Sequence, residues 1–131
     1  MASNILGVDF GAKRVGLALA VAEAAPQRLS TLPNDAQLLA ALSAQLADHA
    51  IDTVVVGLPR NLDGDDTAQT AVARAFAARL RAAHPEIQVI LQDEAGTSQV
   101  ARERLIHQKV RDVAAVLDQE AAAIIVEDFL A

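Results

Sequence analysis

Short apolar runs separated by polar breaks organise the N-terminal part of the chain. The first run starts at Ile5 and ends at the acid Asp9, a polar turn follows, and a second apolar run covers residues 15–22. Two such runs joined by a short glycine-containing turn predict a β-hairpin. Residues 27–32 can supply a third short strand next to it.

The following segment predicts a helix and then a buried strand. Leu38, Leu42 and Leu46 recur every four residues, which places them on one buried helical face, and Asn34 is expected to cap this helix. Residues 51–58 form a nearly continuous apolar run. Such a run is typical of a central parallel strand covered on both faces.

A second helix and strand follow the longest polar loop of the chain, residues 57–66. Asp66 is expected to cap the helix. Its buried face is predicted from a four-residue spacing to consist of Val72, Phe76 and Leu80. Residues 87–92 predict the last strand.

Two more helices complete the pattern, one capped by Thr97 or Ser98 and one running to the C-terminus. Three strand signals followed by alternating helices and strands predict a layered α/β or α+β domain. The sheet is expected to be mixed, with an antiparallel hairpin and parallel later strands. The length of 131 residues predicts a single domain, residues 1–131.

Composition narrows the class of protein. The chain has no cysteine, which excludes disulfides and thiolate metal sites and fits a cytoplasmic location. No apolar run approaches the length of a membrane span, so no membrane partner is expected. The net charge of −6 weakens a nucleic-acid hypothesis without excluding it, because the cations follow turns or lie on predicted helices.

Asp9 is the first candidate functional residue. It ends a strand that should be largely buried, where an unpaired acid is costly, and it shares a face with Gly7 and Ile5. Gly7 is expected to leave open space beside the carboxylate. A metal ion is the natural partner for such an acid. The alternative is an Asp that caps its own turn.

Two further acidic positions are candidates. Asp93 and Glu94 end a predicted parallel strand, the end at which α/β sheets bind ligands, and alternation does not decide which acid points at the site. Asp118 lies in line with the apolar stripe of the last helix, although it could instead cap a helix starting there. Glu120 and Glu127 fall on another face that is expected to be solvated.

Three carboxylates of this kind would suit one or two hard divalent cations such as Mg²⁺. Two such ions can stabilise both the attacking and the leaving oxygen of an in-line displacement at phosphorus. The three histidines are isolated from one another in the sequence, and neither a Walker loop nor a nucleophile elbow is present. Metal-assisted hydrolysis at phosphorus is therefore the chemistry that the residues favour.

Four motifs in order resemble the YqgF/RuvX family of pre-16S ribosomal RNA nucleases and Holliday-junction-resolvase-like proteins. They are residues 9–16, residues 56–64, Asp93-Glu94 with Thr97-Ser98, and Asp118 with residues 121–125. The resemblance covers nearly the whole chain. It implies an RNase H-like fold, a five-stranded sheet flanked by helices, and nuclease activity supported by Mg²⁺ or Mn²⁺.

The resemblance also implies roles for particular residues. Asp9, Glu94 and Asp118 would be the catalytic, metal-binding acids, so it selects Glu94 over Asp93. The nucleic-acid contacts would come from six residues: Lys13, Arg14, Arg60, Asn61, Thr97 and Ser98. The partners would be structured RNA, branched DNA or both, and resolving a junction would require a homodimer with paired sites. Where the family usually has an arginine after its Asp-Glu pair, this chain has Ala95.

Two other classes of function stay open at this point. Actin-like ATPases share the RNase H-like core and an Asp-x-Gly hairpin, but they clasp a nucleotide between two domains, which 131 residues do not supply. A non-catalytic nucleic-acid-binding or ribosome-assembly module with a weakened site is the third interpretation, and Ala95 keeps it open.

Overall fold

The computed structural model describes residues 3–22, 24–94 and 96–131. The elements in chain order are β1 (Asn4–Phe10), β2 (Arg14–Val21), β3 (Gln27–Pro33), α1 (Leu38–Asp48), β4 (Thr53–Pro59), α2 (Ala68–Ala83), β5 (Gln88–Glu94), α3 (Thr97–His107) and α4 (Val113–Leu130). The order and type of these elements confirm the predicted sequence of three strands followed by alternating helices and strands. Ala95, where the family's arginine is absent, lies outside the described residues.

The five strands form one mixed sheet in the order β3-β2-β1-β4-β5. β1 pairs antiparallel with β2 and parallel with β4, so the N-terminal strand lies at the centre of the sheet. β3 pairs antiparallel with β2, and β5 pairs parallel with β4. The predicted mixed sheet is therefore confirmed, and the carboxyl ends of β1, β4 and β5 lie at the same edge.

Helices cover both faces of the sheet. On one face, α1 and α2 bury the larger apolar cluster, in which Leu42 and Phe76 pack against the valines of β1 and β4. On the other face, α4 crosses all five strands, and α3 packs against α4 through Ala101, which lies in one buried cluster with Ala121 and Ile124. No helix in the described part of the chain has the length and hydrophobicity that a membrane crossing requires.

Some local predictions were wrong. Helix α1 starts after Gln37, because the Asn34 amide donates instead to the Gly11 carbonyl at 2.7 Å. Helix α2 is capped by Thr67, whose backbone N–H donates to the Thr70 hydroxyl at 2.8 Å. Asp66, the predicted cap, instead forms an ion pair with Arg60.

The predicted buried face of α2 and the predicted cap of α3 also differ from the structure. Val72 is exposed, while Ala73 and Ala77 complete the buried face of α2 with Phe76 and Leu80. Gly96, in the left-handed region at φ 72°, precedes α3, and neither Thr97 nor Ser98 is its N-cap. Local spacing identified these helices, but it did not identify the residues at which they begin.

Candidate functional site

Asp9 lies near the end of the central strand, and the positions level with it on the two neighbouring strands are both glycines. Its partner across the hairpin is Gly16 in β2. On the other side, Gly57 directly follows Val56, the β4 residue that pairs with Val8. Two glycines therefore flank the carboxylate, and among the described residues no hydrogen bond or ion pair reaches it.

The glycines on this face of the sheet leave space that helix α4 occupies, so this space is not open to a ligand. A Cβ on Gly7 would lie 2.6 Å from the Ala122 carbonyl oxygen, so the expected open space at Gly7 is absent. A Cβ on Gly16 would collide with the Asp118 carbonyl, and one on Gly57 would collide with the Ile125 side chain. Because these three positions lack side chains, α4 lies directly on the sheet beside Asp9.

Partial burial gives Asp9 an unusual acidity. The loss of hydration, together with a smaller effect of the nearby Asp118 carboxylate, raises the pKa of Asp9 to about 6. Ionisation of this acid near neutral pH is less favourable than that of an ordinary aspartate unless a cation stabilises the carboxylate. The alternative reading of Asp9 as a turn cap finds no support, because the turn is closed by the Gly11 N–H bonded to the Arg14 carbonyl at 2.9 Å.

Glu94 lies on the same face of the sheet as Asp9, at the end of β5. The two acids line a common cavity of about 230 Å³, together with Arg60, Thr97 and Ser98. Glu94 Oε1 is buried and has no hydrogen-bond partner in the described part of the chain. The Thr97 hydroxyl donates to the other carboxylate oxygen and so fixes the side chain.

The acidity of Glu94 is also altered. Burial raises the pKa of Glu94 to about 7, with smaller contributions from Asp128 and Asp93, while the hydrogen bond from Thr97 opposes the rise. Asp93 lies on the opposite face, with 70% of its side chain exposed and an ion pair to Arg60 at 3.2 Å. Of the two acids that end β5, only Glu94 therefore shares a cavity with Asp9.

Asp118 lies close to Asp9, but another residue holds its carboxylate. It is inside α4, which begins at Val113 after Asp112, so Asp118 is not a helix cap. The Arg14 guanidinium donates to Asp118 Oδ2 at 2.9 Å. Over residues 3–22, 24–94 and 96–131, no group of three or more acidic or histidine side chains is arranged to hold a metal ion. The structure thus joins Asp9 with Glu94 and leaves Asp118 bound to Arg14.

The residues expected to contact nucleic acid differ in whether other groups of the protein already bind their side chains. Lys13 is exposed at the tip of the hairpin turn. Arg60 is bound by Asp66 at 2.5 Å and by Asp93 at 3.2 Å. The Asn61 side-chain oxygen accepts the backbone N–H groups of two loop residues, which shapes the loop between β4 and α2.

The sequence interpretation also missed a buried acid. Glu120 is only 7% exposed, because Arg28 at 3.6 Å and Arg104 at 3.7 Å approach it. Glu127 is partly buried and pairs with Arg104 at 2.6 Å. The expected solvated face of α4 is therefore wrong: it carries the ion pairs that hold α3 and β3. Nothing in the local spacing could indicate this, since the three partners are far apart in sequence.

The donor set fits a hard divalent cation. A buried carboxylate oxygen without a partner is costly, and a cation would satisfy it. Asp9 and Glu94 both offer oxygen ligands and both have raised pKa values, which a bound cation would lower again. Of the three predicted acids, Asp9 and Glu94 share the cavity as they stand, and Asp118 is held by Arg14.

Comparison with curated proteins identifies relatives over almost the full chain. A protein of Anaeromyxobacter dehalogenans named "Putative pre-16S rRNA nuclease" is 39% identical over 130 residues, covering 95% of this chain and 94% of its own. Proteins of the same name from Porphyromonas gingivalis and Maridesulfovibrio salexigens are each 33% identical over 133 residues. They cover 97% and 98% of this chain, and 95% and 98% of their own lengths.

Solved structures share the fold at low sequence identity. Thermus thermophilus RuvC in complex with a Holliday junction substrate superposes with a TM-score of 0.59 at 15% identity, covering 98% of this chain and 94% of RuvC. The fowlpox virus resolvase in complex with Holliday junction DNA gives 0.55 at 9% identity, covering 97% and 98%. These similarities confirm the RNase H-like fold.

The family assignment rests on the whole described chain. The model of the RuvX family, described as Holliday junction resolvase, matches residues 3–131. The resemblance noted in the four sequence motifs is thereby confirmed, and this chain belongs to the RuvX family.

Proposed function

We propose that this protein is a metal-dependent nuclease that hydrolyses phosphodiester bonds in structured nucleic acid. The family assigns the chain to enzymes of phosphodiester hydrolysis. The single observation that carries the metal dependence is the buried, unpartnered Glu94 Oε1 in the cavity shared with Asp9. Buried polar atoms are normally satisfied, and a cation bound by oxygen ligands would satisfy this one.

The mechanism assigns separate tasks to the residues of the site. Asp9 and Glu94 would hold Mg²⁺ or Mn²⁺, with Asp118 as a third ligand. Such an ion supplies charge stabilisation at phosphorus and a water of lowered pKa. Thr97 keeps Glu94 oriented by donating to its carboxylate. Lys13, exposed on the adjacent turn, is available to hold a backbone phosphate.

Two substrates fit this chemistry, and the names of similar proteins point to both. The 5′ end of pre-16S ribosomal RNA is suggested by the curated relatives, and a Holliday junction by the family description and the RuvC complex. Resolving a junction needs two symmetric cuts, so a homodimer accompanies that alternative. The composition without cysteine favours the cytoplasm as the place of action.

The test compares cleavage of a labelled four-way DNA junction and a labelled pre-16S RNA fragment in chelator, Mg²⁺ and Mn²⁺. Cleavage is expected only with metal, and Asp9→Asn should abolish it in a folded protein. Asp48→Asn is the matched control, because Asp48 is an exposed acid at the end of α1. Full activity of Asp9→Asn would refute the site. Binding without any cleavage by the wild type would favour the non-catalytic module instead.

A further inference from the structure

Arg14 and Asp118 form an ion pair that links the hairpin to α4 across 104 residues of sequence. The Arg14 side chain is 63% exposed, whereas that of Asp118 is only 22% exposed. The acid therefore lies mostly in the protein, and the cation lies mostly in solvent. A half-buried carboxylate gains much from such a partner, while the guanidinium is open to approach by other anions.

The turn that carries Arg14 is held firmly at its backbone. The Gly11 N–H donates to the Arg14 carbonyl at 2.9 Å, and the Asn34 N–H donates to the Lys13 carbonyl at 2.9 Å. The Asn34 side chain adds a hydrogen bond to the Gly11 carbonyl at 2.7 Å. Because the backbone is fixed in this way, only the side chain of Arg14 can change its partner.

The pair creates two competitions at one place. Asp118 Oδ2 accepts a hydrogen bond from Arg14 Nε, so the Arg14 guanidinium is the cation that this oxygen now binds. A phosphate that is bound by Nε and a terminal N–H group of Arg14 takes the donor that Asp118 now uses. A substrate phosphate therefore competes with Asp118 for Arg14, and a metal ion competes with Arg14 for Asp118.

We propose that Arg14 is a positioning residue that couples nucleic-acid binding to completion of the metal site. In the free protein it holds the Asp118 carboxylate, which leaves only Asp9 and Glu94 together in the cavity. When a backbone phosphate takes the guanidinium, Asp118 is released to join the other two acids. This inference rests on the proposed nuclease function and adds a substrate-dependent step to it.

The coupling must be reciprocal, since two ligands that affect one equilibrium do so by the same factor. Nucleic acid should tighten cation binding, and cation should tighten nucleic-acid binding. Removing Arg14 should release Asp118 permanently, so the free protein should bind cation more tightly and the coupling should disappear. If Arg14 were only a phosphate contact, its removal would neither tighten cation binding by the free protein nor abolish the coupling.

The first experiment measures Mn²⁺ affinity by calorimetry on the full chain without nucleic acid. Arg14→Gln is expected to bind Mn²⁺ about two- to fivefold more tightly than Lys13→Gln, the range that a solvent-exposed ion pair supports. Lys13→Gln is the matched control, because it removes the same charge from the same turn and Lys13 forms no ion pair among the described residues. In an Asp118→Asn background, Arg14→Gln should give no further gain over Asp118→Asn alone.

The second experiment repeats the titration with Ca²⁺, with and without saturating four-way DNA junction, and verifies on a gel that the junction stays intact. The junction should tighten Ca²⁺ binding to wild type and to Lys13→Gln, but not to Arg14→Gln. Equal Mn²⁺ affinities of Arg14→Gln and Lys13→Gln, or an undiminished junction effect in Arg14→Gln, would overturn the proposal.

The two proposals fail in different ways. If Asp9→Asn weakens Mn²⁺ binding while Arg14→Gln and Lys13→Gln are equal, the metal site stands and only the role of Arg14 is wrong. If wild type and Asp9→Asn bind Mn²⁺ equally or not at all, the metal site is refuted, and the coupling is refuted with it.

Discussion

Asp118 lies directly over Gly16: a Cβ on Gly16 would collide with the Asp118 carbonyl and would lie 2.7 Å from the Asp118 Cβ. Gly16 is also the strand partner of Asp9. One missing side chain therefore brings an acid of α4 next to an acid of β1, although the two are far apart in sequence. The closeness of Asp118 is one of the two causes that raise the pKa of Asp9.

Gly16→Ala is expected to destabilise the protein, because the helix backbone must move away from the sheet. Overpacking at such a contact costs about 3 kcal/mol, the upper part of the usual range. Gly64→Ala is the control: Gly64 has φ 82° and nothing within 4 Å of an added Cβ. Gly64→Ala should lower the free energy of unfolding by only about 1 kcal/mol, because alanine adopts the left-handed conformation less readily than glycine. Urea denaturation of both variants measures this difference, and equal losses would contradict the close contact.

Glu94→Gln should reduce metal-dependent cleavage by about 100-fold or more, the scale on which loss of a catalytic group acts. Asp93→Asn should stay within about fivefold of wild type, since it loses only a solvent-exposed pair with Arg60. The two variants change neighbouring acids of the same strand end. The two variants are compared by their cleavage rates on one labelled substrate. A larger loss of rate in Asp93→Asn than in Glu94→Gln would contradict the site, because it would place the reaction on the opposite face of the sheet.

The metal-free protein should lose stability relative to Asp9→Asn as the pH rises. Burial, with a smaller contribution from Asp118, raises the pKa of Asp9 from 3.8 to about 6. Because the folded pKa is the higher one, the folded state holds the proton more tightly, and ionisation between these pH values destabilises the fold. The stability difference should therefore be smallest below about pH 4 and grow to the order of 2 kcal/mol above about pH 6.

Urea denaturation in chelator across this pH range tests the sign. The change with pH is compared rather than the absolute stability, because asparagine also alters local packing. Asp48→Asn should follow the wild-type curve, since Asp48 is exposed. Parallel curves for wild type and Asp9→Asn would mean that Asp9 is hydrated in the folded protein.

Lys13→Ala should weaken nucleic-acid binding and make its salt dependence shallower. Each phosphate contact that is removed reduces the slope of log affinity against log salt by about one unit. Arg79→Ala is the control, because Arg79 is an exposed cation of α2, on the opposite face of the sheet from α4. Binding is measured at several salt concentrations in chelator. An unchanged slope for Lys13→Ala would place the nucleic-acid face elsewhere.

The sequence by itself determined the elements and much of the sheet. Alternation and continuous apolar runs predicted the hairpin, the helices and a buried strand over residues 51–58, which the structure has at Thr53–Pro59. They could do so because side-chain periodicity is fixed by local backbone geometry. It also indicated three acidic positions at strand ends and on the last helix. Alternation could not relate Glu94 to Asp9, since the relative facing of two strands depends on their register.

The tertiary structure decided which of these groups meet. Glu94 shares the cavity with Asp9, and Asp118 is instead held by Arg14. Gly7, expected to leave room for a ligand, supports α4, and Glu120 is buried. The meeting of Glu94 with Asp9 depends on the register of β1, β4 and β5, and the other outcomes depend on how α4 crosses the sheet. That crossing joins residues about a hundred positions apart, where no local pattern of a single chain carries information.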